Sequence, residues 1–78
     1  MRHITIYTKP GCHLCEAVEK TINGVAKKRA DLTVVFRNIC EDPADFEKYQ
    51  FDIPVIFLDG KEIARHRMTA EQLAAALL

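Results

Sequence analysis

No stretch of this 78-residue chain stays apolar for anything near the ~18 residues that a membrane-crossing helix needs. The N-terminus alternates from its first residues, Met1-Arg2-His3-Ile4-Thr5, and has no signal-peptide core. An excess of charge is missing too. Eleven basic and eleven acidic residues give a net charge of zero. No basic patch stands out, so neither nucleic acid nor an anionic membrane is an expected partner. There are no repeats, low-complexity tracts or linkers. Cysteines number three, which a disulfide scaffold would leave unpaired. The chain is therefore expected to stay where it is made, in the reducing cytoplasm. A close cysteine pair there serves catalysis or metal binding more often than stapling.

The composition, 49% hydrophobic and 28% charged, is that of an ordinary globular protein. The length allows one domain, residues 1–78, and a domain of this size buries only ~60–65% of its unfolded surface. Every element must therefore contribute to a single core.

The most informative feature is Cys12 and Cys15, placed where a strand pattern turns into a helix pattern. His3 to Thr8 alternates with period two. Lys9-Pro10-Gly11 breaks the run with turn chemistry. Leu14, Val18, Ile22 and Val25 then recur at helical spacing, predicting a helix over 13–28. Its Glu16 and Lys20 make a favourably ordered i,i+4 pair, and Gly24 inside it costs ~1 kcal/mol against alanine. Cys12 thus sits at a helix N-terminus, where partial positive charge and unpaired N–H groups favour a thiolate. The thiolate is the species that attacks disulfides. A Cys-x-x-Cys pair near a β-α-β pattern signals thioredoxin-like redox chemistry.

Leu32 to Asn38 reads as a second strand, parallel to the first because a helix joins them. Asp42 and Pro43 are N-cap and first residue of a short helix over 44–49 that offers Phe46 and Tyr49 to the core. Val55-Ile56-Phe57-Leu58 is a continuous apolar run, a strand buried on both faces. Asp59-Gly60 is a hairpin signal leading to an antiparallel strand, Lys61 to Arg65. Thr69 to Gln72 fits a capping box, and Ala70, Leu73, Ala74 and Leu77 form the inner stripe of a last helix. The order is β-α-β-α-β-β-α, an α/β fold.

This chain resembles the glutaredoxin branch of the thioredoxin superfamily, most of all the small glutaredoxin-like proteins of bacteria. The resemblance rests on Tyr7-Thr8-Lys9-Pro10-Gly11-Cys12-His13-Leu14-Cys15, on Ile53-Pro54 before an apolar strand and on the Asp59-Gly60 hairpin, and it spans the whole chain. It implies a thioredoxin-like, four-stranded mixed sheet with helices on both faces. It implies that Cys12 is the exposed nucleophile, that Cys15 is the buried resolving thiol, and that Pro54 is cis and lies beside the pair. The backbone of Ile53 would then face an extended thiol peptide, a small case of strand addition. Two departures bear on glutathione. His13-Leu14 stands where glutathione-using members have Pro-Tyr, and Ala64 to Thr69 lacks their glycine pair.

Around the pair, a protonated His13 would favour the Cys12 thiolate, against the alternative of a solvated histidine. Leu14 either meets a partner or packs. Lys9 either stabilises the thiolate or binds a carboxylate, or is simply an exposed loop lysine. Tyr7 reads as a core residue at a strand end. Arg65, His66 and Arg67 form a small basic cluster that either receives an acidic partner or is a solvated turn. Cys40 is expected at the same sheet end as Cys12, as a half-buried, inert thiol. The expected function is thiol–disulfide exchange by Cys12 and Cys15, with Lys9, His13, Leu14, Ile53 and Pro54 contacting substrate. The substrate is a disulfide-bearing protein or glutathione. No tightly bound cofactor is expected, glutathione is a candidate co-substrate, and the protein is expected to be a monomer. The alternative is a redox-inert adaptor or a carrier of metal or cluster on the same fold. A zinc site needs four ligands, and there is no second Cys-x-x-Cys to supply them. His3, His13 and His66 would have to complete it, with His13 pointing back toward its neighbour's ion.

Overall fold

The first strand, β1 (Arg2–Thr8), points its even-numbered residues into the main core: Ile4 and Ile6 are fully buried. The computed structural model describes residues 2–78. After β1 come α1 (His13–Ala26), β2 (Leu32–Asn38), a single 3-10 turn (Ile39–Glu41), α2 (Pro43–Tyr49), β3 (Val55–Leu58), β4 (Lys61–Arg65) and α3 (Ala70–Ala76). The sheet order is β2-β1-β3-β4. β1 runs parallel to β2 and antiparallel to β3, and β4 is antiparallel to β3. This is the mixed four-stranded sheet implied by the resemblance.

Two apolar clusters lie on opposite faces of the sheet. On one face, Val18 and Ile22 of α1 and Leu73 and Leu77 at α3 pack on Ile4, Ile6, Ile56 and Leu58. On the other, Tyr49 and Phe46 of α2 meet Tyr7, Val55 and Phe57. Tyr7 stacks on Tyr49 at 4.5 Å between ring centroids and takes Phe57 edge-on at 5.6 Å. The β3 run is apolar throughout because the strand lies inside the sheet with helices on both sides.

Local signals explain the boundaries. The Asp42 carboxylate accepts the Ala44 N–H at 2.9 Å, capping α2 behind Pro43. Thr69 and Gln72 exchange both capping-box hydrogen bonds at α3. Asp59 and Gly60 both take positive φ, 51° and 85°, as the two-residue hairpin requires. Ile53-Pro54 is cis.

Two expectations change. Helix α1 ends at Ala26, with Lys27 as C-cap and Lys28 in a tighter turn bonded to the Val25 carbonyl. Its inner stripe is Cys15, Val18, Ile22 and half-buried Val25, so Leu14 falls out of phase and stays 38% exposed. In α3, Ala70 and Ala74 face solvent. A helix of two turns has room for one stripe, and Leu73, Ala76 and Leu77 occupy it.

Gly24 is exposed, and a Cβ there would meet nothing within 4 Å. The Gly24→Ala protein is predicted to be more stable by about 0.5–1 kcal/mol, read as a higher urea midpoint at unchanged slope.

Candidate functional site

The turn before α1 follows from four residues. Pro10 supplies a fixed φ at the second position and Gly11 a φ of 81° at the third. The Cys12 N–H closes the turn on the Lys9 carbonyl at 3.3 Å. That geometry leaves Cys12 extended (φ −89°, ψ 112°) as the N-cap of α1. Its Sγ accepts the backbone N–H of Cys15 at 3.1 Å, taking the place a capping hydroxyl or carboxylate oxygen normally fills. The sulfur thus receives one of the helix's unpaired donors and lies at the positive end of its dipole.

The two thiols differ sharply. Cys12 is half-buried, Cys15 is 2% exposed, and both are free. Burial pushes the Cys15 thiol from its ordinary 9.0 up to about 12, with the hydrogen bond to Cys12 and the charges of Cys12 and Glu19 adding to it. One backbone hydrogen bond from Lys9 acts in the opposite direction.

A small pocket holds both thiols, walled by Thr8, Lys9, Glu16, Glu19 and Asn38. The sheet register explains why Asn38 is present. Thr8 pairs with Asn38 across β1 and β2, so the end of β2 meets the start of the cysteine loop. The Asn38 side-chain Oδ1 caps the 3-10 turn by accepting the Cys40 N–H at 2.9 Å. On the other side of β1, Tyr7 pairs with Val55, which brings Ile53-Pro54 to the same sheet end.

The flanking residues take particular positions. His13 is 96% exposed in its side chain and leans on Glu16, with Nδ1 to Oε2 3.5 Å. Glu16 therefore faces His13 and makes no ion pair with Lys20. Lys9 lies over the Phe46 ring, 5.8 Å from its centroid, which holds the ammonium beside the cysteine loop. Leu14 is exposed and Ile53 half-buried. Pro54 is fully buried, so it presents no side-chain surface. Cys40 is exposed, not half-buried: Ile39 takes the inward position of the 3-10 turn and leaves Cys40 pointing out. Glu19 and Asn38 were not singled out from the sequence. Glu19 stands one turn after Cys15 on α1, and Asn38 becomes visible only once the parallel register is known.

Among the described residues, no three His, Cys, Asp or Glu side chains cluster in a way that would hold a metal ion. Nor is any described helix long and apolar enough to cross a membrane.

Comparison with known proteins gives a family and a fold. The family model described as glutaredoxin-like domain (DUF836) matches residues 3–78. The chain belongs to this glutaredoxin-like family. A glutaredoxin-like protein of Dictyostelium discoideum is 26% identical over 76 residues, covering 91% of this chain and 70% of that one. Protein Ne2328 of Nitrosomonas europaea, solved by solution NMR, superposes with a TM-score of 0.78 at 25% identity over 96% of this chain and 89% of its own. Thioredoxin-2 of the malaria parasite shares the fold with a TM-score of 0.79 at 16% identity, over 99% of this chain and 81% of its own. Family and fold together support a redox type of function.

Cys15 links its proton to folding. Its folded value, about 12, lies above the ordinary 9.0 of an unfolded thiol. Its contribution to stability is therefore whole below pH 9.0 and is lost as pH rises toward 12. Under reducing conditions, urea midpoints are predicted to fall over this window, and to fall less in Cys15→Ser, which has no buried thiol at position 15 to titrate.

Proposed function

We propose that this protein is a thiol–disulfide oxidoreductase that works through Cys12 and Cys15. The observation that carries the reading is the inequality of the pair. Cys12 is accessible and its sulfur accepts a helix N-terminal N–H at 3.1 Å, while Cys15 is buried and held as a thiol.

The Cys12 thiolate attacks one sulfur of a substrate disulfide. A Cys12–substrate disulfide forms, the substrate S–S bond breaks, and the other sulfur leaves as thiolate. Cys15 Sγ then attacks Cys12 Sγ. The mixed disulfide breaks, the Cys12–Cys15 disulfide forms, and the departing substrate thiolate takes up the Cys15 proton. The substrate has gained two electrons and the dithiol has lost them. Two molecules of glutathione, or a thioredoxin reductase, return the pair to the dithiol. Burial of Cys15 suits this order, because a resolving thiol that ionised early would compete with Cys12 for the substrate.

In this reading, Lys9 and His13 flank the incoming chain, Leu14 gives it an apolar contact, and the backbone of Ile53 beside Pro54 pairs with it. The substrate is a protein disulfide or a glutathione mixed disulfide. The protein acts as a cytoplasmic monomer without a tightly bound cofactor.

Replacement of Cys12 by Ser is predicted to lower disulfide reduction on the order of a thousandfold or more. Replacement of Cys15 by Ser is predicted to halt the reaction at a mixed disulfide on Cys12, seen by mass spectrometry of the intact protein. A Cys12→Ser protein with full activity would contradict the assignment. So would zinc or iron in stoichiometric amount after purification, with no turnover.

A further inference from the structure

A groove beginning at the first turn of α1 lies outside the pocket that holds the two thiols. Leu14, Ala17 and Val18 of α1 form one side, and His66, Arg67 and Met68, between β4 and α3, form the other. Its floor is apolar: Val18 and Met68 are buried at the base and Leu14 is exposed at the rim. No acidic side chain lines it.

The basic side of the groove has uneven commitments. Arg65 is engaged by Glu62 at 2.6 Å and by Asp52 at 3.2 Å. His66 faces Asp52 at 3.9 Å. Arg67 has no ion-pair partner among the described residues. His66 takes a φ of 67° in a tight turn, where its N–H donates to the Pro54 carbonyl at 2.8 Å and the Arg67 N–H donates to the Arg65 carbonyl at 2.7 Å.

We propose that this groove selects protein disulfides in which an aliphatic side chain and then an acidic one follow the reactive cysteine closely. The aliphatic group fills the apolar floor beside Leu14, and the carboxylate pairs with Arg67. The proposal rests on the oxidoreductase reading and names its substrate class. An extended chain advances about 3.3 Å per residue, so a segment joined to Cys12 reaches the first turns of α1 within a few residues. Charge complementarity decides the occupant, because the wall offers an uncommitted cation and no competing carboxylate. Glutathione carries carboxylates but no aliphatic side chain, so it leaves the floor empty.

The test uses the Cys15→Ser protein, in which only the first exchange occurs. Short peptides carry one cysteine as its mixed disulfide with thionitrobenzoate, followed by Leu-Glu, Ser-Glu, Leu-Lys or Ser-Lys. Glutathione carrying the same group is the fifth substrate. Release of thionitrobenzoate gives each rate, divided by that of free mercaptoethanol with the same substrate. Exchanging Leu for Ser is expected to lower the relative rate about tenfold. Exchanging Glu for Lys is expected to lower it about fivefold, and glutathione should fall with the Ser peptides. In Arg67→Glu, the preference between Glu and Lys peptides should invert. Arg67 is exposed and unpaired, so this change leaves the fold intact. Equal relative rates across the peptides, or a Glu preference that survives Arg67→Glu, would overturn the proposal while leaving the oxidoreductase reading standing. Absence of thionitrobenzoate release from every substrate would overturn both.

Discussion

The hydrogen bond from the Cys15 N–H to the Cys12 sulfur is the constraint on which the site depends. It makes Cys12 the cap of α1, which places the sulfur at the one helix end where negative charge is favoured. It also sets the phase of the helix. With Cys12 outside the first turn, Cys15 begins the inward stripe and Val18 and Ile22 continue it into the core. Partial exposure of one thiol and burial of the other are therefore one geometric fact. A shift of a single residue in the start of α1 would expose Cys15 and turn Leu14 inward.

The sheet supplies the rest of the site without added length. β1 is central, and its C-terminal end feeds the cysteine loop. Its parallel neighbour brings Asn38 to that end, and its antiparallel neighbour brings Ile53-Pro54. Three chain segments thus converge at one sheet end, while the core lies beneath them in two clusters. A domain this short cannot give separate structures to stability and chemistry, and α1 serves both. Its N-terminus places the Cys12 sulfur, its buried face packs the sheet, and its outer first turns form one side of the groove beside Arg67.

Much of this was legible in the sequence, because local chemistry and global fold agree here. Proline and glycine before Cys12, Asp42 before Pro43, the Asp59-Gly60 turn and the Thr69 box each act within a few residues. All produced the element they announce, and β2, β3 and β4 run over the residues that their patterns gave. What was missed depends on phase or register. Leu14, which shares the helical spacing of Val18 and Ile22 and was left open between packing and meeting a partner, is exposed because Cys15 begins the inward stripe. Ala70 and Ala74 were read as inward from their helical spacing, in a helix with room for a single stripe. Asn38 joined the site through a strand register that no local pattern records. Cys40 was expected to be half-buried, and a 3-10 turn that gave Ile39 the inward place left it exposed.

The most direct test of the central claim is equilibration of the protein in anaerobic glutathione buffers of graded potential, followed by acid quenching and mass spectrometry of the trapped thiols. The account predicts a Cys12–Cys15 disulfide that forms and reverses as a two-electron couple at intermediate potential, with any glutathione adduct located on Cys12 and Cys40 taking no part. Cysteines that remain reduced across the whole range, or an adduct that accumulates on Cys15, would contradict it.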